Sequence, residues 1–121
     1  QLAYLAPLPQ PSPAIDGLLR DARQHWAAGR HEQAAAGYER ALRIEPRNAH
    51  LWQHLAALRL DQGKPQLAEQ FAAKSNSFAG DSATLRQRNW RIIAAARRAG
   101  GDPRGAREAD AQAARYEAGG R

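Results

Sequence analysis

After Ala14 the apolar and polar positions of the chain recur with a helical period, and glycines punctuate the pattern. Gly29, Gly63 and Gly101 each close the first helix of a pair. Counted from these glycines, the same residue types return. Five positions on stand Ala34, Ala68 and Ala106; twelve on, the small residues Ala41, Ser75 and Ala113; fifteen on, the large residues Ile44, Phe78 and Tyr116. The stretches "WQHLAALRLDQG" (52–63) and "WRIIAAARRAGG" (90–101) write one helix twice, Trp first and Gly eleven places later. The pattern predicts six helices, roughly 15–28, 31–45, 48–62, 65–78, 82–99 and 103–118. The glycines are spaced by 34 and then 38 residues. The extra four amount to about one helical turn. They lie in "GDSATLR", so the fifth helix should be longer at its start or follow a longer loop.

Small Ala residues let paired helices approach closely, and Leu18, Trp52 and Trp90 should fill the space between pairs, with both indoles largely buried. Pro46 stops the second helix; Gly80 stands at the matching place of the next pair. The sixth helix carries one apolar stripe and a charged outer face, which suits a terminal cap.

Residues 1–14 read differently. Pro7, Pro9, Pro11 and Pro13 predict an extended segment, the end of a semi-rigid linker. Yet Leu2, Tyr4, Leu5 and Leu8 are costly to leave in water, and partial docking of Tyr4 and at least one Leu on the first helix pair is expected. The expected division is linker end 1–14, repeat domain 15–118 and tail 119–121.

Composition adds limits. The 121 residues are 25% charged and 43% hydrophobic, with no cysteine, so disulfide and thiolate chemistry are excluded. No apolar run approaches the roughly 18 residues that span a membrane. The net charge of +6 comes almost wholly from Arg, with acidic residues interspersed and no basic tract, so nucleic acid is not the expected partner. A chain that begins at Gln1 and contains no Met reads as a processed product or a fragment. Any signal peptide or lipid-accepting cysteine would then lie upstream, and membrane contact would run only through that anchor.

Site chemistry is sparse. His50 and His54 stand four apart on one helix without a Glu or Cys at ligand spacing, and His25 and His31 flank a turn, so no metal site is expected. Ser75 follows Lys74 but occupies a hairpin-packing position. "GGDPRG" is neither a Walker nor a Rossmann loop. No enzyme activity and no cofactor are expected.

A 34-residue period carrying Leu18, Ala22, Gly29, Ala34, Tyr38, Ala41 and Pro46 resembles the tetratricopeptide repeat. The resemblance implies an all-α fold of three tetratricopeptide hairpins, six helices stacked in a right-handed superhelix, whose function is to bind protein. In this family the first helix of each pair lines a concave groove. The groove residues implied are Asp16, Leu19, Arg23 and Trp26; His50, Gln53, Ala57 and Leu60; and Arg88, Arg91, Ala95 and Arg98. Of these, Arg23, Trp26, His50, Gln53, Arg88, Arg91 and Arg98 are the candidate partner contacts, with Trp26 as an exposed anchor among Arg forks. The subclass that clamps chaperone tails uses Lys and Asn where this chain has Leu19, Arg23 and His54, which argues against that partner.

"AAKSNSFAGD" followed by "RQRNWRIIAAARRAGGD" departs from generic repeats. Asn76 is expected to end a helix in the left-handed conformation and Asn89 to bond free carbonyls; Lys74, Asn76 and Asn89 form an alternative binding patch. The two phrases resemble short tetratricopeptide lipoproteins of Gram-negative bacteria. Among these are outer-membrane lipoproteins that activate class A penicillin-binding proteins, the bifunctional peptidoglycan synthases. That resemblance implies a periplasmic domain, anchored to the outer membrane, whose partner is such a synthase. The alternatives are a scaffold for another envelope or secretion complex, and a cytoplasmic adaptor.

Overall fold

In the computed structural model, which describes residues 4–6 and 12–119, six helices follow one another. They are α1 (Pro13–Ala27), α2 (His31–Ile44), α3 (Ala49–Asp61), α4 (Pro65–Ser77), α5 (Ala83–Ala99) and α6 (Pro103–Gly119). They pair as α1 with α2, α3 with α4 and α5 with α6, and successive pairs stack through α2 on α3 and α4 on α5. The prolines and Leu2 and Leu8 of residues 1–3 and 7–11, and the tail at 120–121, lie outside the described residues.

The three matched glycines end α1, α3 and α5 in the same way. Gly29, Gly63 and Gly101 have φ of 79°, 74° and 82°, a left-handed conformation that costs an L side chain energy. The next amide reaches back five residues in each case: Arg30 N to His25 O, Lys64 N to Arg59 O, Asp102 N to Arg97 O, at 2.8–2.9 Å. The same stop thus turns each of the three hairpins. The extra four residues lie inside α5, which has 17 residues against 13 in α3, and so lengthen its start by one turn.

Small side chains set the spacing within hairpins. Ala34, Ala68 and Ala106, the glycine-plus-five positions, are each fully buried. At Gly37 a Cβ would stand 3.0 Å from that of Ala22, so α1 and α2 approach almost to backbone contact. Packing this close maximises dispersion contacts along the hairpin. Trp52 and Trp90 stand at matching places, each with the greater part of its surface covered and packed against the main core, though neither is sealed from solvent. The Trp52 indole N–H donates to Pro46 O at 2.9 Å and its ring tilts against Phe71, which holds its polar edge at the surface. On α6, Ala106, Ala109 and Ala113 form a fully buried stripe opposite an exposed charged face.

Two polar joints lock the stack. Arg59, mostly buried on α3, donates to Glu32 (3.3 Å) and to Gln62 (2.8 Å), and lies 3.7 Å from Glu39, spanning the α2–α3 junction. Arg97 on α5 forks onto Glu69 of α4 at 3.1–3.3 Å and also donates to Gly105 O.

Candidate protein-binding site

The middle helix α3 is buried on almost every side, and its inner residues are polar as well as apolar. A helix with this much cover needs partners on all faces. The lead segment supplies one of them. Leu5 is 9% exposed and belongs to the main core, with Tyr4 packed against it. Ala6 joins Ala49, Ala79 and Leu85 in a second small cluster. The Ala6 N–H donates to Gln53 Oε1 at 2.6 Å, so the docked residues reach α3 in the second pair and not only the first pair. Further along, the Ser12 hydroxyl donates to Glu45 at 2.6 Å, tying the start of α1 to the end of α2 and, with Asn48, holding the Glu45 carboxyl below its ordinary range.

A chain of rings runs from Trp26 through Tyr38 to His54. Tyr38 is fully buried, edge-on to Trp26 (6.2 Å) and to His54 (5.5 Å). Burial pushes the Tyr38 phenol up to about 12, and Arg23 pulls weakly the other way. Burial pushes the His54 imidazole down to about 3; the positive charge of Arg23 adds to this, and the Ala6 backbone beside the ring opposes it. Neither ring nitrogen has a hydrogen-bond partner of good geometry. Half-buried His50 is also held below its ordinary value by desolvation.

A depressed folded-state value makes His54 an acid-sensitive element. The unfolded imidazole titrates near 6.5 and the folded one near 3, so the unfolded state binds the extra proton in between. Stability is therefore full above about pH 6.5 and falls with pH at about 1.4 kcal/mol per unit below it. Urea denaturation at pH 7 and pH 5 should differ by roughly 2 kcal/mol from this group. His54→Gln should flatten the profile between those two values; an unchanged profile would mean His54 is not the titrating group.

The structure divides the residues expected to line the groove. Gln53 lies against Ala6, while exposed Arg23 and half-buried His50 stand near enough to His54 for their charge to act on it. Trp26 is not an exposed anchor: it is 5% exposed, and its indole N–H donates to Asp61 Oδ2 at 2.8 Å, a bond that lowers the Asp61 carboxyl. A satisfied indole sealed against Tyr38 belongs to the core. Gln53, Ala57 and Leu19 are buried as well. Arg91 and Arg98 pair with α6, through Glu117 (3.0 Å) and Asp110 (2.7 Å). Both pairs are exposed, where such bridges are worth about 0–1 kcal/mol. Arg88 is half-buried and makes contacts of its own.

The alternative patch resolves into a structural knot. Asn89, fully buried, donates from Nδ2 to Ser75 Oγ (2.8 Å) and to Asn76 Oδ1 (2.9 Å), and Ser75 Oγ donates to Ala49 O at 2.8 Å. This ties α4 to α5 and to the start of α3. Asn76 is helical, and the positive φ falls on Gly80 instead, because glycine adopts it without strain. Asn89 bonds side chains rather than free carbonyls. Lys74 stays exposed, its ammonium 5.8 Å from the Trp52 ring centre and 5.3 Å from that of Phe78. Among the described residues, clefts open on the surface. One of about 510 Å³ lies between the Gly63 turn, Leu67 and Arg97; one of about 480 Å³ is lined by Leu42, Arg43, Trp52 and Phe71. No group of three metal-binding side chains occurs among the described residues, and no helix among them is long and apolar enough to cross a membrane.

Three hairpins on a 34-residue repeat, each stopped by a left-handed glycine, agree with the family comparison: the tetratricopeptide repeat profile matches residues 25–87. The chain belongs to the tetratricopeptide repeat family. The tetratricopeptide domain is also similar to a solved structure, the globular C-terminal domain of P. aeruginosa LpoP. Identity is 38% and the TM-score 0.83, over 86% of this chain and 98% of that one. No curated protein sequence matches it. A tetratricopeptide protein-binding domain is thus the shared frame.

Proposed function

We propose that this domain is the globular part of a periplasmic lipoprotein, anchored to the outer membrane through a preceding segment, that binds a class A penicillin-binding protein and stimulates peptidoglycan synthesis. The observation that carries the reading is the likeness to the LpoP C-terminal domain, which runs over nearly the whole of that domain. It agrees with the resemblance of "AAKSNSFAGD" and "RQRNWRIIAAARRAGGD" to the synthase-activating lipoproteins. The domain acts by binding and carries out no catalysis itself. Stimulation follows if it binds the active synthase conformer more tightly than the inactive one, since a ligand shifts an equilibrium only by its differential affinity. The chain is added in increasing amounts to each purified class A penicillin-binding protein of the same bacterium, and glycan polymerisation and cross-linking are followed. A saturable rise with one synthase is expected; no change with any of them would overturn the reading.

A further inference from the structure

The lead segment lies against the middle helix and covers it with little of its own. Leu5 and Ala6 are the buried residues, Tyr4 is half-buried, and one backbone bond, Ala6 N–H to Gln53 Oε1, ties the segment to the seat. The seat has unused capacity. Gln53 Nε2, both ring nitrogens of His54 and the Tyr38 hydroxyl are buried without a hydrogen-bond partner. Buried polar groups are normally satisfied, so the three unpaired atoms on Gln53 and His54, the two residues beside Ala6, mark an imperfect fit. A side-chain amide offers one acceptor and one donor group, the complement of a peptide's own N–H and C=O. Gln53 reads the N–H of its present occupant and leaves its donor idle.

We infer that residues 4–6 are an exchangeable strap over a peptide seat formed by Gln53 and His54, and that the competing occupant is a short apolar peptide segment of a partner protein. The competitor presents an aliphatic side chain where Leu5 lies. It also presents a backbone N–H and C=O to the two ends of the Gln53 amide. The strap has the advantage of being tethered, which raises its effective concentration. The partner's segment has the advantage of pairing groups that the strap leaves idle. Arg23, whose charge acts on both rings, and His50 flank the seat and favour a segment without positive charge. The inference goes beyond the synthase reading and needs only that the domain binds protein.

The test uses the full chain and a synthetic peptide of its own first eight residues, QLAYLAPL, so it does not depend on which protein the domain serves. Binding is followed by NMR at the Gln53 side-chain amide, with the Ala6 amide reporting the strap. Two variants weaken the strap: Leu5→Asp, which removes its apolar contact, and Ala6→Pro, which removes only its N–H. Each is checked for a native helical spectrum. The expected result is weak peptide binding to the unsubstituted chain and binding at least tenfold tighter to both variants, with shifts at Gln53 and His54. Equal affinity in all three chains, no binding to either folded variant, or loss of the folded state in both would overturn it, since the segment would then be a fixed part of the core.

Discussion

Replacing Tyr38 with alanine is expected to cost about 3–5 kcal/mol, the largest loss of any single truncation in the domain. The ring is fully buried at the junction of the first and second hairpins, edge-on to Trp26 on one side and His54 on the other. Its removal leaves a cavity that three rigid helices cannot collapse into, and it separates two aromatic contacts worth roughly 0.5–1.5 kcal/mol each beyond their area. A domain of this size has about 5–15 kcal/mol to lose, so the variant should melt far below the parent. Tyr38→Phe separates shape from polarity. The hydroxyl has no hydrogen-bond partner, so its removal forfeits none and relieves a buried polar atom. Urea denaturation should place the Phe variant level with the parent or above it; a loss of more than about 1 kcal/mol would mean the hydroxyl is satisfied.

Asn89 should be the second most sensitive position. Its amide holds Ser75 and Asn76 together at the α4–α5 junction, and Ser75 passes the link on to Ala49 of α3. Asn89→Ala removes two buried hydrogen bonds and strands the Asn76 carbonyl oxygen, at a cost of about 2–4 kcal/mol. Asn89→Asp should be no better, because a carboxylate cannot donate to Asn76 and would bury a charge. The partners act as a unit, so the Asn89→Ala, Ser75→Ala double variant should lose less than the sum of the single losses, with a coupling of roughly 0.5–3 kcal/mol. Strict additivity in chemical denaturation would show that the bonds are independent.

The helices were legible in the sequence because their signals are local. Glycine spacing, alanine at glycine-plus-five and the four extra residues before Trp90 correspond to left-handed stops, close hairpins and a longer α5. The site was less legible because facing depends on what covers a helix. Family geometry placed Trp26 on the open groove, but Asp61, 35 residues away, takes its N–H and draws it inward. Gln53 and Ala57 belong to an inner face that a three-hairpin array leaves open, and residues 4–6 cover Gln53. The signal was present: α3 places Gln53 and His54 between apolar neighbours, and the lead carries Tyr4 and Leu5. Nothing local joins positions 47 residues apart. Arg91 and Arg98 looked like groove residues for the same reason, since only the register of α6 brings Glu117 and Asp110 beneath them. The Asn76 and Asn89 phrases stood out correctly, but a buried knot and an exposed patch leave the same mark on a sequence.

Hydrogen–deuterium exchange of the chain, alone and with the class A penicillin-binding protein proposed as its partner, is the most direct measurement, because it reads binding and the bound face together. Added protection should appear on the inner halves of α1 and α3, around Arg23, His50 and Gln53, with altered exchange at residues 4–6. Protection confined to the outer faces of α4 and α6, or no change at saturating synthase, would contradict it.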